Sequence, residues 1–351
     1  MVTPPAGLPA LASTSLTGHW AAPAVVTVVD ACALASVACG AVREGEPVDL
    51  ITALAGTGRS NPYGAAHIVQ ELRQHLPRIA DKTGVPLVQA EETLWGRMVP
   101  GVPIVDLAIG DHLSPASRLL LRDDPSLPAR ARGDADAAPT AALAEFLAPT
   151  IILTQDSVFT RFGLAMPVSE WVGAAHGLLR AAGFEANLHT SAVVAEVAAR
   201  LVWQIAAWAG RSAARHPIIA SAVVALAVMV CRHQGLLDPA RWRAGAVSIK
   251  EMAAPLLERF AAATEDHALT RGRLVVVEAA GQATTEQHAA RHLARTRTAL
   301  TPAQLRDALA SSGTRIPATR LKAAMADHPG FVRLPGDRYR LGRPALTNLA
   351  P

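Results

Sequence analysis

The stretch from Asp134 to Asp156 constrains the fold more than any other part of the sequence. It reads DADAAPTAALAEFLAPTIILTQD. An acidic loop leads into an apolar helical segment, 141–147, and a β-branched run at 150–154 then predicts a buried parallel strand. Ligands of an open parallel sheet bind beyond the carboxyl ends of its strands. We therefore expect Asp156, which follows this strand, to face a binding site.

A second unit of strand and helix begins the folded part of the chain. Residues 24–30, AVVTVVD, predict a strand that ends on Asp30, and the helical segment ACALASVACG follows it. An aspartate in this position either faces the same edge of the sheet as Asp156 or only caps the next helix. The sequence leaves both interpretations open.

Further elements lie between these two units. Residues 62–76 carry apolar side chains at helical spacing, with Glu71 beside the apolar stripe, where an isolated glutamate is usually solvated. Residues 85–88 and 102–107 are weaker strand candidates because each contains a proline. The alternation of strands and helices predicts an α/β domain with a parallel sheet.

Acidic residues recur at the ends of the predicted strands and the starts of the helices. Gathered in one crevice without basic partners, their carboxylates would repel one another unless a divalent cation lay between them. Oxygen ligands of this kind favour Mg²⁺ or Mn²⁺.

These residues together resemble a PIN-domain nuclease. The resemblance rests on VVDACAL at 28–34, Glu71 in a helix, DADAAPT leading into AALAEFL, and ILTQD, and it covers about residues 24–165. It implies an α/β/α sandwich that hydrolyses phosphodiester bonds with Mg²⁺ or Mn²⁺, and it implies pairing as a homodimer. Carried over by position, the implied catalytic and metal-binding carboxylates are Asp30, Glu71, Asp136 and Asp156. Asp134 fits the third position as well, because Ala137 breaks the more usual double acid.

The character of the sequence changes after residue 165. Residues 171–182, 191–210 and 250–264 are helical by periodicity, whereas 273–279 fit a strand or a buried helix equally well. The run 218–231, IIASAVVALAVMVC, is apolar on every face. A spanning helix needs about 20 apolar residues, so we interpret this run as a buried helix in preference to a membrane-inserted one.

The C-terminal segment resembles a winged helix. Thr301 and Pro302 predict the start of a helix at 303–310, a second helix spans 317–326, and 331–341 form a hairpin pattern around Pro335-Gly-Asp. In a winged helix the second helix enters a groove of the nucleic acid and the hairpin lies on its backbone. Its use for protein contacts stays open. The candidate nucleic-acid contacts are Arg315, Thr319, Arg320, Lys322, Arg333, Arg338 and Arg340.

Charge is spread unevenly along the chain. Residues 24–165 carry 11 basic and 16 acidic side chains, whereas the stretch from 284 to the end carries 11 basic and 4 acidic ones. A basic C-terminal segment suits a polyanion. We divide the chain into a disordered leader, 1–23; a PIN-like domain, 24–165; a helical middle region, 166–283; and a winged-helix-like domain, 284–345.

These patterns predict a cytoplasmic, metal-dependent endoribonuclease. No signal peptide precedes the first strand, and the three cysteines, Cys32, Cys39 and Cys231, show no metal-ligand spacing. Single-stranded or looped RNA is the expected substrate, because its backbone bends into a cleft, and DNA stays open. Two alternatives remain: an inactive PIN-like nucleic-acid-binding regulator or scaffold, and a nuclease tethered to a membrane through 218–231.

Overall fold

The computed structural model describes the N-terminal and C-terminal parts of the chain. The described residues are 25–46, 48–58, 60–108, 113–115, 117–122, 124, 126, 128, 132–166, 170–176, 179, 274–279 and 281–344. The chain divides into two compact units, one formed by Met1–Leu179 with Thr270–Pro351 and the other by Arg180–Leu269. All described residues belong to the first unit.

Several sequence predictions concern residues outside the described ranges. These are the leader at 1–23, the helices at 191–210 and 250–264, and the apolar run at 218–231. Among the described residues, no helix combines the length and the apolar character that crossing a bilayer requires. The domain boundaries at residues 165 and 283 stay predictions.

A five-stranded, mostly parallel sheet forms the centre of the first unit. The strands of the described residues are, in chain order, β1 (Val25–Val29), β2 (Ser60–Ala65), β3 (Pro103–Val105), β4 (Thr150–Leu153), β5 (Phe331–Leu334), β6 (Arg338–Leu341) and β7 (Arg343–Pro344). The central sheet has the order β4-β1-β2-β3-β7, and β5 and β6 form a separate hairpin. Every pairing in the central sheet is parallel except that of β3 with β7. The predicted α/β class is confirmed, with a mixed sheet in place of a purely parallel one.

Helices cover both faces of this sheet. They are α1 (Ala31–Glu44), α2 (Leu50–Gly56), α3 (Ile68–Thr83), α4 (Leu87–Glu91), α5 (Ala138–Leu147), α6 (Ser157–Arg161), α7 (Thr285–Thr296), α8 (Pro302–Ser311) and α9 (Ala318–Asp327). Glu92–Met98 continues α4 as a π-helix, short 3₁₀ turns lie at Val99–Gly101, Ser117–Leu121 and Ala135–Ala137, and residues 170–176 are helical.

The side chains of the central strands alternate between two apolar cores. Val28 and Ile152 pack with α5 and α7 on one face, whereas Val29 and Leu153 pack with α1 and α3 on the other. Successive side chains of a strand point to opposite faces. Burial on both faces explains why β1 and β4 read as continuous apolar runs in the sequence.

Two sequence predictions about secondary structure are wrong. The strand expected at 85–88 does not form, and α4 begins at Leu87 instead, because Pro86 lacks the N–H that a ladder needs and its carbonyl accepts from the N–H of Gln89 and of Ala90. The helix expected from residue 62 begins at Ile68, because Ser60–Ala65 forms β2. The segment SNPYGA has no β-branched residue, and its place between β1 and β3 imposes the extended conformation.

Residues 274–279 form neither of the two elements considered for them. Val277 makes a single antiparallel bridge to Thr150, with the N–H of each residue donating to the carbonyl of the other. This bridge lies at the outer edge of β4.

The C-terminal elements follow the sequence signals closely. Thr301 caps α8 with Pro302 at its first position, as predicted, and a capping box with Gln304 completes the helix start. A second capping box, Thr284 with Gln287, starts α7. The hairpin strands have the predicted bounds, and the turn between them places Gly336 at φ 78° and Asp337 at φ 55°.

The C-terminal segment packs directly onto the central sheet. The buried Asn61 side chain of β2 donates from Nδ2 to the carbonyls of Ala294 (2.9 Å) and Arg295 (2.8 Å) at the end of α7. The Tyr63 hydroxyl donates to the Ala294 carbonyl at 3.3 Å. These side chains satisfy carbonyls that the helix end leaves unpaired, so they fix α7 on the sheet.

Replacing Asn61 by alanine should destabilise the first unit by about 1–3 kcal/mol, because the Ala294 and Arg295 carbonyls at the end of α7 lose the amide donor and only that of Ala294 keeps another, the Tyr63 hydroxyl. Urea denaturation followed by circular dichroism measures the change. Thr296→Ala is the control, because its exposed hydroxyl bonds only within the same helix end, and its effect should stay within about 0.5 kcal/mol. Equal effects of the two substitutions would contradict the docking role of Asn61.

Candidate functional site

The strand order reverses between β1 and β4. From β1 the chain runs outward to β2 and β3 on one side, and β4 then pairs with β1 on the other side. At such a switch point a crevice opens beyond the carboxyl ends of the two strands. Asp30 directly follows β1, and Thr154 directly follows β4.

Side chains that follow β1 and β4 in the sequence hold Asp30 at this crevice. It is 7% exposed, and its Oδ2 accepts from the hydroxyl of Thr154 at 2.7 Å and from the thiol of Cys32 at 2.8 Å. Asp30 occupies the N-cap position of α1, yet its side chain makes no capping hydrogen bond. The interpretation of Asp30 as only a helix cap is therefore wrong.

Glu71 reaches the crevice from the first turn of α3. Its side chain is 19% exposed, and its Oε2 lies 3.5 Å from Nε2 of His67, one turn earlier. One ligand atom from each of Asp30, His67 and Glu71 lies within 4.8 Å of the others. The usual solvation of an isolated glutamate does not apply here.

Sequence reasoning missed His67. Its position four residues before Glu71 puts the two side chains on the same side of a helix, and this spacing was the available signal. Nε2 of His67 also lies 3.4 Å from the hydroxyl of Thr140, whereas Nδ1 is buried and has no hydrogen-bond partner among the described residues. Burial lowers the pKa of His67, and the charges of Asp30 and Asp136 oppose that shift. The imidazole is therefore neutral at neutral pH.

Four aspartates around Glu71 influence its pKa. Burial raises the pKa first, and the charges of Asp30, Asp136, Asp134 and Asp156 raise it further, to about 8. All the other sequence-predicted carboxylates therefore act electrostatically on Glu71. We call the group formed by these five carboxyls with His67 and Thr154 the carboxylate crevice.

The acidic loop before α5 is shaped by a glycine. The Gly133 N–H donates to the Arg122 carbonyl at 2.9 Å, and a Cβ at Gly133 would collide with the carbonyls of Leu119 and Leu120. Asp134 then accepts from the Asp136 N–H at 3.0 Å and caps the 3₁₀ turn. Asp136 is exposed and Asp134 half-buried, and the charges of both alternatives for the third position act on Glu71.

Thr154 connects the two strand-end aspartates. Its hydroxyl donates to Asp30 and accepts from the Asp156 N–H at 2.9 Å. Oδ1 of Asp156 accepts from the Val158 N–H and caps α6. One hydroxyl thus fixes the relative positions of Asp30 and Asp156.

Cys32 acts as a hydrogen-bond donor in this network. Burial and the neighbouring Asp30 raise the pKa of the Cys32 thiol to about 12, and its Sγ accepts from the Gln155 N–H at 3.1 Å. A thiol with this pKa stays protonated at neutral pH, so in this network it acts as a donor and not as a nucleophile.

The predicted nucleic-acid contacts of the C-terminal segment divide into three groups. Arg315 and Arg320 line an open groove of about 690 Å³ between the starts of α7 and α9, and Thr319 is exposed beside them. Lys322 and Arg333 both pair with Asp337, at 2.7 Å and 2.9 Å. The remaining two residues are Arg338, which donates to the Pro335 carbonyl, and the half-buried Arg340.

Glu71→Gln should stabilise the protein in EDTA. The pKa of Glu71 is raised from 4.5 to about 8, so the unfolded chain releases this proton at a lower pH than the folded chain does. Glutamine at position 71 gives no gain in the free energy of unfolding below pH 4.5. The gain grows as the pH rises to about 8 and is complete above that pH. We expect about 1–3 kcal/mol after allowance for solvent screening.

Urea denaturation in EDTA at about pH 5, 7 and 9 measures this difference. Glu91→Gln, at the exposed last residue of α4, is the control and should change stability by less than about 0.5 kcal/mol at each pH. A pH-independent effect of Glu71→Gln would contradict the repulsion described here.

The carboxylate crevice gathers five acidic side chains at the switch point of the sheet. No protein-family model, curated protein or solved structure matches the chain.

Proposed function

We propose that the chain is a metal-dependent endoribonuclease of the PIN-domain type. In this proposal the carboxylate crevice hydrolyses phosphodiester bonds, and the C-terminal helices and hairpin act as a winged helix that binds nucleic acid. One observation carries it: one ligand atom each of Asp30, His67 and Glu71 lies within 4.8 Å of the others at the switch point, where burial and the charges of four aspartates raise the pKa of Glu71 to about 8.

The donor set fits a divalent cation. Carboxylate oxygens are the ligands that Mg²⁺ and Mn²⁺ prefer, and an imidazole shifts the preference from Mg²⁺ towards Mn²⁺. Asp30, His67 and Glu71 would hold the ion, because their ligand atoms already lie within 4.8 Å of one another. Asp156 and the loop acids Asp134 and Asp136 would complete the negative environment. A bound cation would offset the repulsion among these groups.

A cation in this position supplies electrostatic stabilisation to a phosphoryl transition state. The chain's own residues prepare the site for it. Thr154 and Cys32 orient the Asp30 carboxylate through two donated hydrogen bonds. The backbone N–H of Asp156 donates to the Thr154 hydroxyl in turn, so hydrogen bonds connect Asp30, Thr154 and Asp156.

RNA is the proposed substrate, with DNA left for experiment. The residues from 284 to the end carry 11 basic and 4 acidic side chains, which suits a polyanion. Arg315, Thr319 and Arg320 lie exposed on and beside α9, where a recognition helix would present them. The PIN-domain resemblance adds pairing as a homodimer to the proposal.

Cleavage of a labelled RNA pool with Mn²⁺, Mg²⁺ or EDTA tests the proposal. We expect cutting by the wild type with Mn²⁺ or Mg²⁺, faster with Mn²⁺ because of His67, and none in EDTA. Asp30→Asn and Asp156→Asn should abolish it. Asp307→Asn, at an exposed aspartate of α8 paired with Arg306, is the matched control and should cut normally. A wild type that binds RNA but cuts with no metal would instead support the nucleic-acid-binding regulator or scaffold.

Thr154→Val removes the hydroxyl that joins Asp30 to Asp156 while keeping the side-chain shape. Cleavage should fall by about 10–100-fold, the usual cost of losing a group that orients a metal ligand. Thr154→Ser keeps the hydroxyl and should retain most of the activity. Equal losses for valine and serine would show that packing of the methyl group, and not the hydrogen bonds, matters at this position.

A further inference from the structure

A groove of about 450 Å³ runs from the carboxylate crevice along the start of α6. Two of its lining residues, Asp134 and Asp156, belong to the crevice itself. Two others, Arg132 and Arg161, carry guanidinium groups. Carboxylates of the crevice and guanidinium groups thus line the same groove.

The two arginines come from separate parts of the fold. Arg132 lies in the loop before the 3₁₀ turn, directly before Gly133, and Arg161 is the last residue of α6. Gly133 holds the loop against the carbonyls of Leu119 and Leu120, and the Asp156 cap fixes the start of α6. The position of each arginine is thus tied to that of a crevice carboxylate.

We propose that Arg132 and Arg161 bind the phosphate next to the scissile one. This inference rests on the proposed function, because it takes the scissile phosphodiester to lie at the carboxylates. Successive phosphates follow one another along a nucleic-acid strand, and guanidinium groups bind them with paired hydrogen bonds. Contacts of this kind position a strand without reading its sequence. The preferred substrate is therefore a polynucleotide, and a dinucleoside monophosphate is a poor one.

Two substrates separate this role from a structural one. A dinucleoside monophosphate contains the scissile phosphate alone, whereas a hexanucleotide also supplies its neighbours. The variants are Arg161→Gln, which changes an exposed side chain, and Arg132→Gln. The control is Arg73→Gln, because Arg73 is exposed on α3 and lies two residues from Glu71, a spacing that points the two side chains apart.

We expect the wild type to cleave the hexanucleotide with the higher kcat/KM. Arg161→Gln and Arg132→Gln should each lower kcat/KM for the hexanucleotide by about tenfold or more and leave the dinucleoside monophosphate unchanged. Arg73→Gln should change neither. Hexanucleotides that carry an extra 5′ or 3′ phosphate then show on which side of the scissile bond the groove lies.

Binding supplies a readout that needs no cleavage. The affinity of the labelled hexanucleotide is measured by fluorescence anisotropy in EDTA at several salt concentrations. Each lost phosphate contact should reduce the slope of log affinity against log salt by about 0.7 for a single strand. Both groove variants should show this reduction, and Arg73→Gln should keep the wild-type slope.

Equal losses on both substrates would overturn the proposal, because they would mean that the arginines only support the carboxylates. Wild-type kinetics and an unchanged salt slope in Arg161→Gln would overturn it as well. If the wild type cleaves neither substrate, the proposed nuclease function fails, and the salt slope alone then decides whether the groove binds a polynucleotide.

Discussion

The parallel pairing of β1 with β4 is the constraint on which the rest of the site depends. In this register Val29 lies opposite Leu153, and the Asp30 N–H donates to the Leu153 carbonyl at 2.9 Å. Asp30 and Thr154 therefore leave the sheet at the same level. A slip of one residue would turn every side chain of a strand to the opposite face, and both apolar cores oppose such a slip. Packing of the sheet thus sets the position of the carboxylates.

The crevice gathers acidic side chains in a fold whose core is otherwise apolar. Half of the residues are hydrophobic, and the strands that carry Asp30 and Thr154 are buried on both faces. The four aspartates of the crevice oppose ionisation of Glu71. A fold tolerates such a cluster where the surrounding packing is strong enough to hold it, and strain of this kind tends to collect at functional sites.

Much of the sheet and most of the crevice could be predicted from the sequence. Asp30 and Asp156 each follow an apolar β-branched run, which is a local signal, and the capping residues Thr301 and Pro302 marked α8 in the same way. The sequence carried no such signal for β2, because SNPYGA acquires its extended form from the neighbouring strands. Pairing of β7 with β3 joins residues distant in sequence, and periodicity does not report such contacts.

The docking of α7 on β2 has a consequence for synthesis of the chain. Asn61 and the Ala294 carbonyl that it binds are separated by 233 residues. At about 5–20 residues per second, a ribosome needs on the order of ten seconds or more between them. During that interval the face of the sheet that receives α7, and the edge of β3 that receives β7, lack their native cover. An exposed strand edge invites pairing with other chains, so this edge of the nascent sheet stays open to such pairing until β7 has been synthesised.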